Sequence, residues 1–219
     1  MARHGDRRAG RWPVQLRLIT ALTDEDYVTY SGWEKASLPR CPLHPRGGCG
    51  FARHGTYRRL TPPGTRIARW YCPTAHTTFS LLPDCLAARL PGSLKAIEEV
   101  VAAVERAPSL AAVANRLRLD IELPGALRWL RRRIQAVHSA LALIRGLLPE
   151  PFAGCPPTVQ AFRQRLCSES VLVRLREIAD AHLPHLPPPL GFRHPGKPAG
   201  EPHPARQQST GADPPGGPA

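Results

Sequence analysis

The sequence predicts an α+β protein, mainly α, with a small β-hairpin, several helices and a disordered C-terminal tail. Residues 39–92 hold four of the six cysteines, with Gly and Pro placed as in a small β unit. Residues 93–183 carry apolar side chains at helical spacing. Residues 184–219 contain 11 Pro and 6 Gly. Such a segment buries too little surface to offset its conformational entropy, so we expect it to be disordered.

The composition divides the chain into consecutive segments. They are an N-terminal segment at 1–38, a ribbon-like module at 39–92, a helical domain at 93–148, an additional helix at 149–183 and the tail at 184–219. A chain of 219 residues allows one ordinary domain or two small ones, which excludes a large multidomain enzyme.

The net charge indicates what kind of molecule the chain binds. The chain has 30 Lys+Arg against 17 Asp+Glu, a formal charge of +13, which favours a polyanion such as nucleic acid. The Arg-rich start lacks the apolar core of a secretory signal, and no run of eighteen apolar residues is present. We therefore expect a cytoplasmic protein with no membrane partner, whose cysteines are reduced or bound to metal. The sequence identifies no small-molecule substrate.

Two strands are predicted in the ribbon-like module, at Phe51–Leu60 and Thr65–Tyr71. Between them Thr61-Pro62-Pro63-Gly64 is typical of a turn, since Pro fixes φ and Gly accepts positive φ. A two-stranded hairpin is marginally stable in water, so a further element must hold it together.

Two Cys/His pairs lie at the two ends of this hairpin, Cys41-Pro-Leu-His44 before it and Cys72-Pro-Thr-Ala-His76 after it. Zinc prefers a tetrahedral set of thiolate and imidazole ligands, and the hairpin would bring the two pairs together. A closed four-ligand site is structural and would contribute on the order of 10–16 kcal/mol to folding. We therefore expect one structural zinc ion in this module.

The sequence offers more than four candidate ligands. Cys49, flanked by glycines, competes with His44 as the partner of Cys41, His54 is a further candidate, and Cys85 follows shortly after. In order of rank, the expected ligands are Cys41 and Cys72, then His76, then His44 and Cys49 equally. Among carboxylates only Asp84 is close in sequence, so catalysis by this metal is not expected.

The helical segments have recognisable starts. Ser93 is a predicted N-cap for a helix that ends before Pro108, and Ser109 for a short second helix. A third helix should begin after Pro124-Gly125, with an unbroken apolar stripe from Leu127 to Ile144. A fourth is predicted from Thr158 to about His182.

Arginines are concentrated at the start of the third helix and on the hairpin. Placed after two helices, the third helix resembles the last helix of a helix-turn-helix, which enters the major groove by its N-terminal residues. Arginine suits that role because its fork binds guanine or phosphate. The expected DNA contacts are Arg128, Arg131, Arg132 and Gln135 on the helix, and Arg53, Arg58, Arg59, Arg66 and Arg69 on the hairpin.

Two stretches resemble a group of bacterial proteins related to transposases: Cys72-Pro-Thr-Ala-His-Thr-Thr-Phe-Ser-Leu-Leu-Pro-Asp84 and Arg53-His54-Gly55-x-Tyr57-x-Arg59. The similarity covers roughly residues 40–145. It implies an N-terminal zinc ribbon with structural zinc, a homeodomain-like helix-turn-helix and DNA as the partner. The chain departs from the family's Cys-x-x-Cys pairs, with His44 in place of one Cys and Ala75 in place of another. The family's nuclease domain has no counterpart here.

Other functions compete with DNA binding. The ribbon and the Leu127–Ile144 stripe would also suit a protein-interaction adaptor or a homodimer, and a zinc ribbon can bind RNA. No Ser/His/Asp set, Gly-rich phosphate loop or HExxH motif indicates an enzyme. The expectation is thus a non-enzymatic, zinc-stabilised DNA-binding protein, transposon-associated or regulatory.

Overall fold

A computed structural model describes residues 14–117 and 123–192. Across these residues the chain is mixed α and β, with a single four-stranded sheet in the order β1-β4-β3-β2. The strands are β1 (Val14–Leu18), β2 (Ala52–Arg58), β3 (Arg66–Cys72) and β4 (Thr77–Pro83). β2, β3 and β4 pair antiparallel, whereas β1 pairs parallel with β4. The predicted hairpin is confirmed as β2–β3.

Two further strands extend the hairpin beyond the sequence prediction. β4 lies between β1 and β3, and its apolar side chains Phe79, Leu81 and Leu82 are buried. In β1, whose sequence is Val-Gln-Leu-Arg-Leu, apolar and polar side chains alternate from Val14 onward, which is the period expected of a strand. The hairpin is therefore held by a larger sheet.

Two short helices follow β1 and cover part of the sheet. α1 (Asp24–Thr29) begins where the Thr23 hydroxyl accepts a hydrogen bond from the Asp26 N–H, and α2 (Gly32–Lys35) follows directly. The rings of Tyr27 and Trp33 meet edge to face at 5.9 Å, and the Tyr27 hydroxyl donates to the carbonyl of Arg66 in β3. A Cβ at Gly32 would lie 2.4 Å from the Tyr27 ring, so this close approach requires glycine.

Two of the three predicted helix starts in the central segment are confirmed. α3 (Leu94–Arg106) and α4 (Leu110–Leu117) begin after Ser93 and Ser109, whose hydroxyls accept backbone hydrogen bonds three residues later. α5 (Leu123–Leu147) begins slightly earlier than expected, so that Pro124 lies in its first turn, where proline is tolerated. The apolar side chains at the start of α5 pack with α3 and α4 in a small separate cluster.

The prediction of one helix from Thr158 to about His182 is wrong. The short helix α6 (Pro149–Phe152) precedes this region, which itself contains α7 (Val159–Leu166), α8 (Val171–Ile178) and a 3-10 turn at Asp180–His182. α7 ends at Cys167, whose φ of 48° is left-handed. The start of α8 is fixed from outside: the buried carboxylate of Glu98 accepts a 2.9 Å hydrogen bond from the Leu172 N–H. Periodicity within the segment does not reveal such a contact.

A second carboxylate of α3 holds α7. Glu105 accepts hydrogen bonds from the N–H groups of Val159 and Gln160 at 2.8 and 3.0 Å, and its Oε1 lies 2.9 Å from His138 Nε2. Burial alone would raise the pKa of Glu105, but these hydrogen bonds outweigh it and hold the pKa below the ordinary value. Glu98 and Glu105, seven residues apart on α3, thus position the helices that pack against it.

The prediction of disorder from Pro184 onward is wrong for residues 184–192. The side chains of Leu186, Leu190 and Phe192 are buried in the main core, and the Arg89 guanidinium donates to the carbonyls of Leu186 and Gly191. The first nine residues of the predicted tail are therefore folded, because three apolar side chains anchor them. The remainder, residues 193–219, lies outside the described residues.

Arg176 of α8 ties this segment to the sheet. It is fully buried, and its guanidinium donates to four backbone carbonyls, those of Pro83, Asp84, Leu86 and Pro189. The Cζ atom of this guanidinium lies 4.9 Å from the centre of the Phe192 ring. Burial lowers the pKa of Arg176 to about 10, so it remains charged at neutral pH.

Replacing Arg176 with Leu is expected to lower the free energy of unfolding by about 3 kcal/mol or more, because buried acceptors left without a donor cost about 1–3 kcal/mol each. Urea denaturation measures the loss. The matched control is Arg174→Leu on the same helix, where the side chain is exposed and the change should stay within about 0.5 kcal/mol. Equal midpoints for Arg176→Leu and wild type would contradict this role.

No helix within residues 14–117 and 123–192 combines the length and apolar character needed to cross a bilayer.

Candidate metal centre

Four of the predicted ligands converge at one end of the sheet. The sulfurs of Cys41, Cys49 and Cys72 and a ring nitrogen of His44 all lie within 4.8 Å of one another. His44 Nδ1 is 3.5 Å from Cys41 Sγ and 3.4 Å from Cys72 Sγ. All three sulfurs belong to buried residues, and His44 is half-buried.

The two nitrogen–sulfur distances match the edges of a coordination tetrahedron. With metal–sulfur bonds of ~2.3 Å and metal–nitrogen bonds of ~2.0 Å, sulfur and nitrogen ligands of one zinc ion lie roughly 3.5 Å apart. The Cys3His cluster can therefore hold a metal ion without large movement of the chain. With four protein ligands, such a site is closed to substrate.

Three of the ligands come from one loop. The backbone turns tightly at Cys41-Pro-Leu-His44, where the His44 N–H donates to the Cys41 carbonyl. The chain then reverses through Gly47 and Gly48, whose φ angles of 82° and 79° are left-handed and favour glycine. This reversal returns Cys49 to the other two ligands.

The fourth ligand is supplied by the sheet. Cys72 is the last residue of β3 and is fully buried. The β3–β4 turn packs against the loop: the Thr74 hydroxyl donates to the Cys49 carbonyl at 3.4 Å. A metal ion at this position would cross-link the 41–49 loop to the central part of the sheet.

The pKa values of the Cys41 and Cys72 thiols are shifted in opposite directions. Burial alone would raise the pKa of Cys41, but hydrogen bonds with the His44 side chain and with backbone N–H groups bring it down to about 7. At Cys72 burial dominates, the neighbouring sulfurs of Cys41 and Cys49 add to it, and the pKa is raised. Thiolates this close repel one another, and a cation between them would remove that repulsion.

The prediction of His76 as a ligand is wrong. His76 is exposed, has a left-handed φ of 47°, and its Nδ1 lies 3.2 Å from the Tyr71 hydroxyl. The turn between β3 and β4 closes over Pro73–His76, so only Cys72 of this pair reaches the cluster. His54, also exposed, lies beside the Tyr71 ring, and Cys85 is buried elsewhere in the core.

The sequence contains a spacing pattern that indicates the loop ligands of the cluster. Interpreting the Cys and His residues in pairs ranks this pattern too low. Cys41, His44 and Cys49 form Cys-x2-His-x4-Cys, and the glycines around Cys49 permit the reversal that this spacing requires. In place of the two expected Cys/His pairs, the cluster consists of three residues from one loop and a single cysteine at the end of a strand.

The arginines predicted to contact DNA fall into two groups. Arg53 and Arg59 donate to carbonyls of their own chain, Arg53 to Trp33 and Glu34 and Arg59 to Ala87 and Leu90. Arg69 lies over the Tyr57 ring at 5.8 Å and is half-buried. Arg53 is exposed although its guanidinium is engaged in this way. The exposed members for which no such contact with their own chain is described are Arg58 and Arg66 on the hairpin and Arg128, Arg131, Arg132 and Gln135 on α5.

Comparison of the chain with protein-family models, with curated proteins and with solved structures finds no match.

Proposed function

We propose that the Cys3His cluster binds one structural zinc ion and that the chain is a non-enzymatic DNA-binding protein. The thiolate-rich donor set favours zinc over the harder cations, and four protein ligands leave no position for a substrate. Asp84, which follows the predicted ligand His76 in the sequence, is bound through both oxygens by Arg17 at 2.8 and 3.0 Å. It is therefore not placed to act as a base at the metal.

The observation that carries the proposal for DNA is a group of exposed basic and polar side chains on α5. Arg128, Arg131, Arg132 and Gln135 are all exposed and follow one another at spacings of three, one and three residues, so they share one side of the helix. No Asp or Glu occurs in Leu123–Leu147 to offset them. Like charges at this spacing repel, and a bound polyanion would relieve the repulsion.

The β2–β3 hairpin supplies a second basic surface. From Ala36 to Pro83 the chain carries arginines but no Asp or Glu. Arg58 and Arg66 are direct cross-strand partners, so their exposed side chains project from the same face of the sheet. These two arginines are suited to phosphate contacts, whereas Arg53 and Arg59 are engaged within the fold.

A transposon-associated or regulatory role in the cytoplasm belongs to the same proposal. After Ser93, the described residues form helices and contain no strand, which leaves no sheet there for a nuclease centre. The arrangement of α3, α4 and α5 is consistent with a helix-turn-helix, which stays a prediction, as does the relation to transposases.

The burial of the apolar stripe of α5 favours DNA binding over the adaptor and homodimer alternative. In the stripe expected to bind a partner, the side chains of Leu130, Val137, Leu141 and Ile144 are fully buried within the chain itself. They pack with the chain's own helices, so they are not available for docking. RNA binding by the ribbon remains a competing prediction that a competition assay addresses.

The test of the proposal is binding to a DNA duplex. The wild-type chain and a chain carrying both Arg128→Glu and Arg132→Glu are compared at two salt concentrations, with structured RNA as competitor. Duplex binding that the double variant loses supports the proposal, and binding that it retains unchanged contradicts it.

A further inference from the structure

The tip of the β2–β3 hairpin exposes a large apolar side chain beyond a cross-strand pair of cations. Leu60 is 94% exposed, the highest value among the exposed large hydrophobic residues of the described chain. Arg58 precedes it at the end of β2, and Arg66 begins β3 as the cross-strand partner of Arg58. Burial within the chain does not explain this leucine, since it contributes almost nothing to the core.

The backbone on both sides of Leu60 is firmly held. The Arg59 N–H donates to the Thr65 carbonyl at 2.9 Å, and the Arg59 guanidinium donates to the carbonyls of Ala87 and Leu90. Across the turn, the Thr65 N–H donates to the Pro62 carbonyl. A Cβ at Gly64 would lie 3.2 Å from a methyl group of Val28, so the turn runs close to α1. The exposed leucine is thus carried by an anchored turn.

We propose that this tip is a DNA-bending wedge, in which Leu60 inserts between base pairs from the minor groove while Arg58 and Arg66 contact the flanking phosphates. Proteins that kink DNA insert one apolar side chain between base steps and gain phosphate contacts from the bent duplex. The inference rests on the proposed DNA binding and adds the mode of contact.

The chemistry of the tip favours DNA over a lipid surface. Membrane insertion requires an extended apolar face, whereas the tip offers one leucine beside Thr61 and two prolines. A single apolar side chain is sufficient to unstack one base step. The two arginines share one face of the hairpin, so both can reach phosphates of the same duplex.

Ligase-catalysed ring closure of a duplex of roughly 110 base pairs tests the wedge. This length is below the persistence length of about 150 base pairs, so closure is slow unless a protein bends the DNA. The wild-type chain is expected to accelerate closure about tenfold or more. The variant Leu60→Ala should lose that acceleration while its duplex affinity changes about threefold or less, because the energy of insertion is spent on unstacking.

The control variant is Ile19→Ala, which removes an apolar side chain that is 75% exposed outside the hairpin. This variant should accelerate ring closure as much as the wild-type chain does. A wild-type chain that binds the duplex without accelerating closure, or a Leu60→Ala chain that accelerates it fully, overturns the wedge and leaves the proposed function intact. A chain that does not bind the duplex removes both.

A lipid target is tested in parallel with vesicles of phosphatidylcholine and phosphatidylserine. Loss of vesicle binding in Leu60→Ala, with ring closure unchanged, would assign the tip to a membrane surface and overturn the proposal. Weak vesicle binding that is equal in the wild type and Leu60→Ala supports it.

Discussion

Replacing Cys72 with Ser is expected to abolish stable metal binding and to release the 41–49 loop from the sheet. Cys72 is the one ligand of the cluster that lies in a strand, so its loss breaks the link between loop and sheet. Between α2 and β2 the described chain has no regular element, only turns, so little else orders it. Structural zinc contributes on the order of 10–16 kcal/mol to folding in small zinc modules, and removing one ligand should forfeit a large part of it.

The loss is measured by metal titration, where affinity should fall more than about 100-fold, and by amide hydrogen exchange. Exchange should accelerate in residues 39–51 and change little in α7 and α8, which are held by Glu98 and Glu105. Cys167→Ser, at an exposed cysteine outside the cluster, is the matched control and should bind metal normally. A Cys72→Ser chain with full metal content and unchanged exchange would show that the cluster does not hold the ion.

Reversing the charge of Arg128 and Arg132 is expected to reduce duplex affinity and its dependence on salt. With about six phosphate contacts, the wild-type affinity should fall roughly 10³-fold between 50 and 200 mM salt. The double Glu variant loses two of these contacts and gains repulsion from phosphate. We therefore expect about 100-fold weaker binding at low salt and a flatter salt dependence.

The control for this experiment carries the same change in net charge elsewhere. Lys95 of α3 and Arg174 of α8 are both exposed, and replacing both with Glu alters the total charge equally. This control should bind more tightly than the α5 variant at every salt concentration. Equal losses in the two variants would mean that net charge, and no particular surface, attracts the DNA.

Local chemistry made part of the fold predictable. The turn at Thr61–Gly64 places the β2–β3 hairpin, and the hydroxyls of Ser93 and Ser109 mark the starts of α3 and α4, because caps and turns depend on neighbouring residues only. β1 and β4 were missed, since the parallel pairing of Val14 with Phe79 joins residues far apart in the chain. The break between α7 and α8 depends on Glu98 of α3, which is equally remote.

The candidate metal site was likewise predictable from the sequence only in part. The sequence identified all four converging ligands among its candidates, because Cys and His in close spacing are typical of metal sites. It ranked His76 above His44 and Cys49, since the direction in which a turn residue points depends on its φ, which spacing does not give. Nor does composition separate Arg59, which binds carbonyls of its own chain, from the exposed Arg58 beside it.

The central claim is that one ion joins Cys41, His44, Cys49 and Cys72. X-ray absorption of the purified, metal-loaded chain tests it most directly, because the shell around the metal reports the ligand types and their distances. We expect one zinc per chain with three sulfurs at about 2.3 Å and one nitrogen at about 2.0 Å. A shell with two sulfurs and two nitrogens, or the absence of bound metal, would contradict it.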